Sequence, residues 1–136
     1  MQHEFKLEPV HYASLFNMMN YTRRTSDVER VINVFPEVLR NFEITTRNPR
    51  TVEILLSRGY VLPEVYIFRV CNDEDVEILE LLCKYGIFND MLAKGVDIST
   101  YAAKPKVGKI LYERGLLSRE DYNGFRQVWF FLGMKV

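Results

Sequence analysis

The chain is predicted to be all-α: a short right-handed solenoid of about four stacked helical hairpins closed by a C-terminal capping helix. Three observations lead there. First, three segments share one syntax, an apolar helical ridge running into a glycine and then another large apolar residue: Val52 to Tyr60, Leu79 to Ile87 and Val107 to Leu116. Second, the glycines Gly59, Gly86 and Gly115 fall 27 and 29 residues apart, the spacing of a stacked repeat in which each unit buries its ridge against the next. Third, helix-opening residues recur ahead of these ridges, with proline at Pro9, Pro49, Pro63 and Pro105 and acids or serine elsewhere. The expected units of this single domain are 8–36, 37–60, 62–87 and 96–117, with 118–136 as the cap.

The first helix opens at Pro9, where the missing amide costs nothing, and runs through the apolar Val10 to Met19. Tyr21 to Thr25 is a polar break, Ser26 is the expected cap of the second helix, and Pro36 forces that helix to stop. Glu37 to Thr46 is read as a third helical segment, against the β-branched Ile44-Thr45-Thr46. Asn48-Pro49 then restarts a helix that ends at Gly59. The next cycle runs from Leu62-Pro63-Glu64 to Cys71, breaks at Asn72, and relaunches from Asp73-Glu74-Asp75 into an amphipathic helix ending at Gly86. Phe88 to Asp97 is expected to hold one irregular helical turn closed by Gly95, Ser99 to Ala103 a short helix, and Lys104-Pro105 the start of the third glycine-terminated helix. Ser118-Arg119-Glu120-Asp121 looks like a capping sequence for the terminal helix.

The glycines have a physical role. A helix end in the left-handed region favours a residue with no side chain, and the apolar residue that follows, Tyr60, Ile87 or Leu116, folds back onto the last turn.

With 136 residues the chain can bury roughly two thirds of its unfolded surface, so it needs no disulfide or metal staple. Charged residues at 26% and apolar residues at 48% match ordinary soluble domains. No apolar run reaches the roughly 20 residues of a membrane span, and Met1 to Lys6 carries no signal-peptide pattern, so a cytoplasmic protein is expected. Eighteen basic and eighteen acidic residues cancel, which argues against nucleic acid as a partner. Arg23-Arg24 and the stretch from Arg47 to Arg50 are the best candidates for a local basic patch. Cys71 and Cys83 are read as small buried hydrophobes, with a bridge between neighbouring helices as the sharper alternative.

Parts of the repeat resemble the ankyrin family, in a degenerate and shortened form. Pro9-Val10-His11-Tyr12-Ala13 is similar to that family's helix-opening signature, with Glu8 in place of threonine. Asp75 to Gly86 resembles its second helix and terminating glycine, and Val96-Asp97-Ile98 before Tyr101-Ala102-Ala103 resembles the passage between repeats. The resemblance covers about 9–117. The units are about four to six residues shorter than the ankyrin average of 33, and the Asp-Gly hairpin turns that form the family's projecting fingers are mostly missing. The resemblance implies protein binding through a concave face made by the first helix of each pair. Such shortened arrays are also similar to those of viral and bacterial host-interaction proteins, which would place a viral example in the host cytoplasm.

Chemistry is not expected. His11 is, by the resemblance, a structural residue bonding nearby backbone, and His3 lies in the N-terminal tail. Cysteines and histidines lack zinc-site spacing, no phosphate loop or nucleophile elbow appears, and the acids of Asp73-Glu74-Asp75 are explained by the helix macrodipole. No catalytic, cofactor or metal residue is therefore assigned. The expected function is non-enzymatic recognition of a partner protein, with nucleic-acid binding as the alternative. Eight tyrosines, nine phenylalanines and one tryptophan supply the residue types that dominate binding hot spots. Tyr66, Phe68 and Arg69, with Tyr101 one unit later and Trp129 in the terminal segment, are the expected contact residues. Trp129 to Leu132 is expected to fold back as a cap, or else to join two copies of a homodimer.

Overall fold

Most helices in this chain start at proline, asparagine, aspartate or serine and stop at glycine, as a computed structural model describing residues 6–135 shows. The α-helices are α1 (Pro9–Tyr21), α2 (Thr25–Val34), α3 (Pro49–Ser57), α4 (Glu64–Asn72), α5 (Val76–Lys84), α6 (Ile87–Ala93), α7 (Pro105–Glu113) and α8 (Arg119–Phe131). Short 3-10 turns occupy Pro36–Arg40 and Ile98–Tyr101. The described residues contain no strand, in agreement with the expected all-α class. They form two compact units, one ending at Leu62 and the other beginning at Pro63.

In the first unit, α1 opens at Pro9, and the Glu8 amide donates to His11 Nδ1 at 2.9 Å. The histidine therefore serves the helix start. Helix α2 begins at Thr25, earlier than the expected Ser26 cap. Thr22 Oγ1 accepts from the Arg24 amide at 3.0 Å, fixing the turn, and the Arg24 side chain lies 3.8 Å from Asp27. Met19, Val28 and Val38 form the centre of this unit with no exposed surface.

The segment expected as a third helix is not one. After the 3-10 turn the chain runs extended, and burial alternates strictly: Phe42, Ile44 and Thr46 are buried while Glu43 and Thr45 face solvent. That is the period of a strand, yet no strand pairs with it. The carboxamide of Asn20 takes the neighbour's place. Its Nδ2 donates to the Glu43 carbonyl at 3.0 Å, and its Oδ1 accepts from the amides of Thr45 at 2.8 Å and Thr46 at 3.2 Å. Tyr60 clamps the same segment, donating from its hydroxyl to the Phe42 carbonyl at 2.5 Å with the two rings 5.6 Å apart. The region 37–60 thus contributes one α-helix instead of a helical hairpin.

The three glycine-terminated helices α3, α5 and α7 share one register. Gly59, Gly86 and Gly115 all take left-handed backbone, with φ of 81°, 68° and 72°. Counting back four residues from each gives Leu55, Leu82 and Leu111, all fully buried. Counting back eight gives Thr51, Ile78 and Val107, also fully buried. At seven back stand Val52, Leu79 and Gly108, and the third differs for a visible reason. A Cβ on Gly108 would lie 2.9 Å from Cζ2 of the Trp129 ring, so the indole of α8 fills the space that Val52 and Leu79 fill from their own helices.

In the second unit, α4 ends in an unusual way. Glu74 adopts φ of 52°, the only positive value among the described non-glycine residues, and the amides of Glu74 and Asp75 bond back to the carbonyls of Cys71 and Val70, both at 3.1 Å. This is a glycine's conformation held by a glutamate, at a cost of about 1 kcal/mol. Its carboxylate accepts from the Lys106 amide at 3.1 Å, satisfying one of the donors left open at the start of α7. Asp75 caps α5, Asp97 caps the second 3-10 turn and Ser118 caps α8 by accepting from Asp121 N at 3.1 Å. Helix α8 packs on α7, where Tyr112 and Tyr122 stack with centroids 4.3 Å apart.

Candidate partner-binding surface

Helix α4 carries the site that sequence reasoning singled out. Pro63 sets its entry, and the pattern Val65-Tyr66-Ile67-Phe68-Arg69-Val70-Cys71 is apolar on more than one face. Tyr66, Ile67, Val70 and Cys71 turn inward. Val65 and Phe68, three residues apart and hence on one stripe, remain 57% and 50% exposed, with Arg69 exposed beside them. Phe68 is not loose. Its ring meets the edge of Tyr101 at 6.4 Å, and Tyr101 in turn packs at 6.3 Å on the buried Phe88.

Of the five expected contact residues, the structure leaves two facing solvent. Phe68 and Arg69 are accessible. Tyr66 at 4%, Tyr101 at 8% and Trp129 at 1% exposure belong to the core. Tyr101 acts instead as the seat of Phe68, and burial followed by the nearby Glu64 carboxylate pushes its hydroxyl above the ordinary tyrosine pKa. Trp129 joins the α7–α8 packing. Its Nε1 donates to the Ala103 carbonyl at 2.8 Å, and its ring stacks on Phe125 at 5.8 Å. The indole is buried against α7 and offers no contact surface, whereas Phe130, Phe131 and Leu132 of the segment expected to fold back with it stay exposed. Val65 was not singled out in the sequence, although its spacing from Phe68 was there to find.

The other candidates resolve as follows. Cys71 and Cys83 are free thiols. Burial first, and then Cys83, push the Cys71 thiol up to about 12. Burial also raises Cys83, against the lowering effect of Arg114. Such thiols are protonated and unreactive at neutral pH. No group of three or more His, Cys, Asp or Glu side chains that could hold a metal ion occurs among the described residues, and His3 lies outside them. Arg23 and Arg50 are exposed, while Arg24 is engaged with Asp27. In the first unit a shallow groove of about 300 Å³ is lined by Met18, Asp27, Arg30, Val31, Val34 and Phe35. No helix among the described residues is long and apolar enough to cross a membrane.

No protein-family model, no curated protein and no solved structure matches the chain.

Proposed function

We propose that the chain is a non-enzymatic protein-recognition module, a short ankyrin-like stack of helices that engages a partner protein through the exposed side of α4. The observation that carries this reading is the stripe of Val65 and Phe68 flanked by Arg69, two half-exposed apolar side chains and a cation on one helix. An apolar anchor with a neighbouring arginine is the composition of a binding hot spot. Because Phe68 rests on Tyr101, little side-chain freedom is lost on docking. The shared register of α3, α5 and α7 supports the repeat reading, since each helix repeats the same buried positions before the same left-handed glycine. A host-directed role for a viral or bacterial protein fits the same surface.

The test begins with affinity capture from the native cell and identification of bound proteins. Phe68→Ala and Arg69→Ala are then each expected to weaken the captured partner by about tenfold or more. Equal loss from changes on the first unit's α1–α2 groove, with α4 variants binding normally, would move the site there. If both faces can be altered without effect, the recognition reading fails.

A further inference from the structure

Helix α8 ends in a run of large apolar side chains, and its own fold uses only one of them. At about 100° per residue, Tyr122, Phe125 and Trp129 turn inward, while Asn123, Gly124, Gln127, Phe130 and Phe131 turn outward. Phe130 is 79% and Phe131 84% exposed, and Leu132 beyond them 68%. Asn123, Arg126, Gln127, Phe130 and Phe131 line an open groove of about 650 Å³ along this face. Gly124 adds a second, independent oddity. It sits mid-helix, where glycine weakens a helix relative to alanine, and a Cβ there would meet nothing within 4 Å. Unlike Gly108, it makes room for none of the described residues.

We propose that this face of α8 docks the same face of a second copy of the chain, antiparallel, with each Phe131 seated over the other's Gly124. The two residues are seven apart, two turns on one stripe. A two-fold axis midway between Gln127 and Val128 therefore superposes knob on hollow twice at once. A two-fold contact requires that one patch hold both halves of the fit, and this patch does. A foreign helix would need only one of them. Phe130 and Phe131 expose roughly 350 Å² of apolar surface on this face, Leu132 lying about 100° further round the helix. Two copies can cover about 700 Å² before the polar rim of Asn123, Arg126 and Gln127 is counted, and that rim is needed to reach the roughly 1,000 Å² of a specific interface. So small a contact is expected to form reversibly and to depend on concentration.

Sedimentation equilibrium of the 136-residue chain from about 1 to about 100 μM tests this, with a reversible rise expected from 16.1 kDa toward twice that mass. Phe131→Glu, at a site 84% exposed, is expected to weaken association by at least about tenfold with an unchanged circular dichroism spectrum. Gly124→Leu separates docking from folding. It is expected to raise the thermal midpoint of the monomer and to weaken the dimer by a similar factor, opposite signs that a purely structural glycine does not give. A wild-type chain that stays monomeric through 100 μM overturns the proposal, including one whose α8 instead binds lipid vesicles. So does a dimer whose constant is the same in both variants. Phe68→Ala leaves the dimer intact, which keeps this result separate from that of the α4 surface.

Discussion

Thr51 is the residue whose chemistry fits its place least. It occupies the buried position that Ile78 and Val107 hold in the other two helices, and its Oγ1 is buried without a hydrogen-bond partner. A buried hydroxyl left unpaired costs about 1–3 kcal/mol, so Thr51→Val is expected to raise stability by about 1 kcal/mol in urea unfolding. An unchanged midpoint would mean the hydroxyl is satisfied after all. Cys71 gives a second residue-scale expectation. Its folded pKa near 12 exceeds the ordinary 9.0, so between those values the unfolded chain releases a proton that the folded chain keeps. Stability present below pH 9 is then lost as pH rises toward 12. Tyr60, raised by burial from 10.0, adds in the same direction. Unfolding free energies measured across this range are expected to fall less steeply in Cys71→Ala than in the parent, whatever the variant's own stability at neutral pH.

Elements were legible in the sequence where their signals are local. Proline at a helix start, a leucine four before a glycine, and an apolar residue just after it are all read within one turn, and α3, α5 and α7 appear where these occur. The segment from Phe42 to Asn48 was not legible because what holds it is not local. Its alternation of large and polar residues is visible, but a strand without a partner strand is normally unstable, and the stand-in is one carboxamide more than twenty residues earlier. Asn20→Ala removes one donor and one shared acceptor from three backbone groups. It is expected to cost about 1–3 kcal/mol and to speed amide exchange at Thr45 and Thr46 ahead of the helices. Exchange that accelerates evenly across the first unit would show that the segment has no stability of its own to lose. The site was half legible for a similar reason. Phe68 and Arg69 follow from helical phase, whereas the burial of Tyr101 depends on Phe88 and that of Trp129 on Gly108.

For the molecule as a whole, composition is that of an ordinary globular domain and says little more. Balanced charge and ordinary apolar content are compatible with many helical folds, and the exposed stripes of α4 and α8 are the main guides to function. The hollow at Gly108 has a consequence for how the chain can be cut and rebuilt. Helix α7 is unfinished by itself, because the mass that completes its interior arrives from Trp129. Shortening the chain to residues 1–117 is expected to unfold α7, seen as a loss of helical ellipticity larger than the thirteen residues of α8 account for. Introducing Gly108→Leu in that shortened chain is expected to restore α7, while the same change in the full chain is disruptive. The terminal helix is in that sense a detachable plug, and one leucine in the socket makes it dispensable.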